Sequence, residues 1–178
     1  MYFIAVLAPD EIDKEVLKWK IWMRDRFGCI VALKSPAHIT LISPFWMEPH
    51  LQENLQKSID AFSATREMFS VELENFDSFK PRVIFVQVKN TPVLDSLKSE
   101  FEQHLLQNPA FPVKSESRAF HPHVTIANRD LHKKDFSDAW NYFKNKTFRT
   151  SFQVNGITLL RHNGLRWDAV HTGSFPLM

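Results

Sequence analysis

A chain of 178 residues, 44% hydrophobic and 24% charged, is long enough for one good core or for two small lobes that share one. Its net charge of +2 gives no ground for a nucleic-acid partner, and four glycines argue against a Gly-rich phosphate cradle. One cysteine, Cys29, rules out an internal disulfide and is no zinc ligand set by itself.

The apolar opening MYFIAVLA is too short to span a bilayer and has no basic region before it. Residues 2–8 therefore read as a first strand, and the expectation is a cytoplasmic protein without a membrane anchor. From Pro9 a helix is predicted, with Ile12, Val16, Trp19, Met23 and Phe27 at helical spacing and Gly28 as its stop. Residues 37–43 form a strand, SPFWMEPH a loop, and Leu51, Leu55, Ile59 and Phe62 a second amphipathic helix. FSVELENFDSF alternates well and VIFVQV is its hairpin partner. A third helix starts at Pro92 and carries Val93, Leu94, Leu97, Phe101 and Leu105 until NPAFPV breaks it. A strand over about 122–128 and a helix over 134–145 follow. Two strands, 148–161 and 165–175, close the chain through the turn His162-Asn163-Gly164.

Each half thus has a strand, a helix and then two strands, a weak internal repeat that points to duplication of a lobe. The expected fold is α+β: one domain, 1–178, of two lobes (approximately 1–88 and 89–178, with strands exchanged) whose small antiparallel sheets face a cleft.

Corresponding strands carry near-identical motifs. His38-Ile39-Thr40-Leu41 lies in AHITLI, and His123-Val124-Thr125-Ile126, 85 positions later, lies in PHVTIA. Residues i and i+2 share a strand face, so each motif aims an imidazole and a hydroxyl at one point while its aliphatic residues enter the core. A proline stands just before each (Pro36 and Pro122). Either motif alone is ordinary strand sequence; two at matching positions carry the inference. Imidazole titrates near neutrality, so one ring can accept a proton while the other donates. Threonine hydroxyls can donate to the non-bridging oxygens of a phosphate.

His121 shares the parity of His123 and reads as a rim residue. A competing three-histidine metal site of His38, His121 and His123 leaves the threonines unexplained and has no Cys, Asp or Glu at ligand spacing. A serine hydrolase is disfavoured because G-x-S-x-G is missing. Arg129, six residues after His123, shares its face if the strand runs on, and with Lys34 and Arg118 it is a candidate phosphate contact. Phe45, Trp46, Phe79, Phe120 and Trp167 lie near strand ends, where one or two could stack a base. Lys144, Lys146, Arg149, Arg161 and Arg166 form an acid-free basic run between Asp138 and Asp168 that favours a polyanion, or simply a solvated face.

Paired His-x-Thr motifs in a duplicated chain of this length resemble the 2H phosphoesterase superfamily, which includes the 2′-5′ RNA ligase-like proteins and cyclic nucleotide phosphodiesterases. AHITLI and PHVTIA match its two motifs, FDSFKPRVIFVQV its central hairpin, and GLRWDAVHTGSFPL its closing strands. The resemblance implies a bilobal fold with a pseudo-twofold axis and a cleft holding the catalytic His38, Thr40, His123 and Thr125. It also implies metal-free hydrolysis of 2′,3′-cyclic phosphates of RNA ends or nucleotides, and in some members 2′-5′ ligation; separately, a monomer without cofactor is the expectation for this chain. Substrate contacts would come from Arg129, Phe45, Phe120 and His121. Family members often carry arginine five residues after the second histidine; here that position is Asn128, and a strand turns Arg129 to the opposite face from it. A different class stays open: an RNA-end-binding protein of the same fold with little turnover.

Overall fold

Alternation along the chain resolves into strands that bury one face against helices. In a computed structural model, which describes residues 1–177, the order is β1 (Tyr2–Leu7), α1 (Asp10–Phe27), β2 (His38–Phe45), α2 (Gln52–Ser63), β3 (Phe69–Phe79), β4 (Val83–Val88), α3 (Pro92–Leu106), β5 (His123–Ala127), α4 (Phe136–Phe143), β6 (Arg149–Val154), β7 (Gly156–His162) and β8 (Trp167–Ser174). The helices start and stop where local chemistry dictates. α1 has Asp10, Glu11 and Asp13 in its first turn and Arg24 and Arg26 in its last, which complements the helix dipole. It ends at Gly28, whose φ of 71° is the left-handed conformation glycine adopts without a Cβ penalty. α3 begins with Thr91 capping the Leu94 N–H and Pro92 just inside.

Two antiparallel four-stranded sheets result, in the orders β2-β1-β7-β8 and β5-β4-β3-β6. Each sheet takes strands from both halves of the chain, and the strand exposed at one edge of each is the strand that carries a His-x-Thr motif. β2 and β5 pack directly against each other. α1 packs on β5 and α3 on β2, so the helix of each half rests on the other half's motif strand. The core between them is formed by residues such as Ile4, Val16, Ile39, Leu41, Ile84, Phe101, Val124 and Ile126, all fully buried or nearly so. Burial of each such side chain contributes about 1.5–3 kcal/mol.

Four boundaries differ from those read in the sequence; the first is β2, which runs on through Ser43, Pro44 and Phe45, read as loop, because Phe45 still pairs with Tyr2 of β1. Residues 148–161 are two strands, because the chain crosses between sheets at Asn155: β6 pairs with β3 in one, and β7 pairs with β1 and β8 in the other. The crossing brings β7 and β8 so close that a Cβ on Gly156 would lie 2.7 Å from the Gly173 carbonyl oxygen. The helix expected over 134–145 is shorter, one 3-10 turn at Lys133–Asp135 leading into α4. β5 stops at Ala127. Among the described residues, no helix is long and apolar enough to cross a membrane.

Candidate active site

The two motifs occupy equivalent places. In β2, Ile39 and Leu41 point into the core while His38 and Thr40 lie half-buried on the opposite face. In β5, Val124 and Ile126 are buried and His123 and Thr125 are the half-buried pair. Register repeats as well: His38 faces Leu7 and Thr40 faces Ala5, as His123 faces Gln87 and Thr125 faces Phe85.

Both imidazoles are held by the same local device. His38 Nδ1 lies 2.7 Å from the Pro36 carbonyl oxygen, and His123 Nδ1 lies 2.7 Å from the His121 carbonyl oxygen. A carbonyl only accepts, so each Nδ1 carries the proton and each Nε2 keeps its lone pair in the neutral ring. Aromatic rings fix the other faces. Phe3 packs 4.8 Å from His38, and Phe79 and Phe85 pack 5.2 and 5.0 Å from His123.

Burial pushes the His38 imidazolium down to about 4; the Pro36 carbonyl opposes this, while Lys20 and His123 add to it. His123 is also lowered, first by burial and further by His121, against the help of the His121 carbonyl. Both shifts favour the neutral ring over the imidazolium. Each is within electrostatic reach of the other, so protonation of one resists protonation of its partner.

Beside the motifs opens a cleft of about 1420 Å³. Thr40, His123 and Thr125 line it, with His38 set back against Phe3. Of the expected substrate contacts, Phe45, Phe120 and His121 are in its wall, as are Trp46, Phe79 and Arg118. Arg129 is not. With β5 ending at Ala127, it lies past the strand, exposed, its backbone carbonyl accepting from Arg82. Asn128 occupies the cleft wall instead, its buried Oδ1 without a protein partner. Trp167 stands behind the site, 4.7 Å from Phe3, and Lys34 is also outside the cleft.

Among the described residues, no group of three His, Cys, Asp or Glu side chains is placed to hold a metal ion. His121 packs its ring on Phe79 and Phe85. The basic run does not form one patch. Lys146 sits over the Tyr142 ring, Arg149 pairs with Glu74, Arg161 bonds Gln52 and Arg166 pairs with Asp168.

Sequence reasoning missed the partners that orient the site. The Pro36 and His121 carbonyls carry no side-chain signal; their only mark in the sequence is a place two residues before each histidine. The charges Lys20 and Glu102, on α1 and α3, are buried, and the apolar stripes of those helices give no sign of it. The wall formed by residues 112–122 belongs to a segment without regular structure, where pattern offers nothing.

By family the chain is a phosphoesterase of the 2H type. The chain belongs to the 2′-5′ RNA ligase superfamily, whose family model matches residues 8–166. It is 32% identical over 141 residues to a protein of Bacillus subtilis (strain 168) named RNA 2′,3′-cyclic phosphodiesterase, covering 72% of this chain and 70% of that one. A putative phosphoesterase of Bacillus thuringiensis (strain Al Hakam) is 27% identical over 140 residues, covering 78% and 77% of the two chains. Among solved structures, E. coli LigT in complex with 3′-AMP superimposes with a TM-score of 0.71 at 18% identity, over 99% of this chain and 98% of that one. TT0787 of Thermus thermophilus does so at 0.69 and 18%, over 98% and 97%. These two likenesses concern the fold.

Proposed function

We propose that the protein is a metal-independent phosphodiesterase that opens 2′,3′-cyclic phosphates at RNA ends or on nucleotides, with His38 and His123 as the acid–base pair. The observation that carries this is the matched pair of imidazoles. Two rings, each with Nδ1 tied to a carbonyl two residues back, leave two Nε2 atoms free on facing edge strands, each accompanied by a threonine hydroxyl. The kinship to a protein named for RNA 2′,3′-cyclic phosphodiesterase activity, and to a fold solved with 3′-AMP bound, supports the choice of substrate class.

In the reaction, a water oxygen bonds to phosphorus and the bond from phosphorus to one ribose oxygen breaks. One imidazole takes the water's proton, and the other, entering as imidazolium, gives its proton to the departing oxygen. Thr40 and Thr125 donate to the non-bridging oxygens as charge builds there. With an RNA 5′-hydroxyl in place of water, the same steps would join two ends through a 2′-5′ linkage. The single-domain reading of residues 1–178 goes with this mechanism, because each sheet supplies one histidine.

The test is hydrolysis of a panel of 2′,3′-cyclic nucleotides in excess EDTA. Turnover is expected, and His38→Ala and His123→Ala should each lower it about a hundredfold or more while keeping the circular dichroism of the parent. Undiminished turnover in both variants would remove the assignment.

A further inference from the structure

Lys20 lies in the middle of α1, is only 3% exposed, and has no part in the steps above. Its ammonium donates to the Ser35 carbonyl at 2.9 Å. Asp13, seven residues earlier and so on the same side of the helix, accepts the Ala37 N–H at 2.6 Å. Between these anchors lies the Pro36–Ala37 peptide. Its oxygen accepts the His38 Nδ1–H and its N–H goes to Asp13, so this one planar unit is held from both edges. Lys20 holds the peptide before it. A turn of α1 thus sets the direction of the His38 ring.

The second motif lacks this arrangement. On α3 the buried charge is Glu102, of opposite sign, and it accepts the Glu116 N–H at 2.6 Å, seven residues before His123. The charged and titratable groups felt at His38 are Lys20 and Asp13 from α1 and His123 from β5. At His123 the neighbour is His121. Burial lowers Lys20 to about 8, which leaves it cationic at neutral pH.

We propose that Lys20 and Asp13 are positioning residues for His38 alone: together they fix the segment whose carbonyl orients its ring, and they set opposite charges behind it, an arrangement that His123 lacks. The consequence for turnover rests on the phosphodiesterase reading; the effect of α1 on His38 does not.

The test is NMR titration of the His38 and His123 rings in the substrate-free protein, with the pH profile of kcat/KM beside it. Lys20→Gln keeps a donor for Ser35 but removes the charge. It should raise the His38 midpoint by about half a unit or more and carry the acid limb of the profile upward with it. Asp13→Asn keeps an acceptor for Ala37 and removes the opposite charge, so it should move His38 the other way. His123 should stay in place in both. Opposite shifts are the signature, since a purely structural role would move both variants alike. If Lys20→Gln fails to fold, Asp13→Asn decides alone: a lowered His38 supports the proposal and an unmoved one overturns it. Unmoved His38 titrations in folded variants of an active enzyme overturn this proposal only. Shifted titrations in a protein with no turnover overturn the phosphodiesterase reading and leave the helix effect standing.

Discussion

The two motif-bearing segments, β1–α1–β2 and β4–α3–β5, are alike where substrate would be and different behind it. Both present a histidine and a threonine from an edge strand, and both tie Nδ1 to a carbonyl two residues back. Behind His38 stand Phe3 and a lead-in segment held by Lys20 and Asp13 of α1; behind His123 stand Phe79 and Phe85, and the segment leading to it is held at Glu116 by Glu102 of α3. The shared front matches the weak internal repeat of the sequence. The orienting hydrogen bond is local and the same in both motifs, whereas the charged groups behind it come from a separate element and differ.

The largest effects should come from the shared front. His38→Ala and His123→Ala should each cost about 10²–10⁴ in kcat, and the double variant little more than the worse single one, because two residues acting as a unit are not additive. Steady-state kinetics on a cyclic phosphate checks this, and independent losses that multiply would break the symmetry of the pair. Thr40→Val and Thr125→Val, nearly isosteric, should each lower kcat by about ten- to a hundredfold, through loss of one donor to the charged oxygens. A loss confined to one of them would show that a single threonine faces the oxygen that gains charge.

The backing should be read in stability. Glu102 is clamped by Lys98, the Glu116 N–H and Ser115, which hold its carboxyl below the ordinary range although burial alone would raise it. The ion-paired side chains are 9% and 12% exposed. Glu102→Leu should therefore destabilise the fold by about 1–3 kcal/mol in urea, leaving Lys98 without its partner. A pH effect of the same origin follows from His38. Its folded value of about 4 lies below the ordinary 6.5, so between these the unfolded chain binds a proton that the folded one refuses. Stability falls as pH drops from 6.5 toward 4 and is level above that window. His123 acts in the same direction. In His38→Gln the melting temperature should depend less on pH across this interval. The smallest effect belongs to Arg129→Ala, which should change kcat/KM less than about twofold, since an exposed side chain beyond β5 meets no buried partner. A substantial loss would bring Arg129 into the site by a movement of the segment after β5.

Much of this was legible before any coordinates. The strand parity of His38 with Thr40, and of His123 with Thr125, follows from a period of two, and the order of helices and strands from their apolar spacing. The break at Asn155 was not legible, because FQVNGITLL continues to alternate while its partners change from one sheet to the other. Arg129 was drawn toward the site by extending a strand that stops at Ala127. Lys20 and Asp13 were hidden for a different reason. Their significance lies in contacts to residues 35 and 37, and a helical stripe read by itself says only which face is apolar. The basic run shows the reverse: neighbours in sequence were dispersed by the fold onto Tyr142, Glu74, Gln52 and Asp168.

The central claim is turnover of a cyclic phosphate by this four-residue site, and phosphorus NMR of an RNA oligonucleotide ending in a 2′,3′-cyclic phosphate, incubated with the protein in EDTA, tests it most directly. The account predicts that the cyclic-phosphate resonance is replaced by that of a single phosphomonoester, 2′ or 3′, at a rate abolished in His123→Ala. A resonance that persists unhydrolysed while the RNA is demonstrably bound would contradict it and would make the protein a reader of RNA ends.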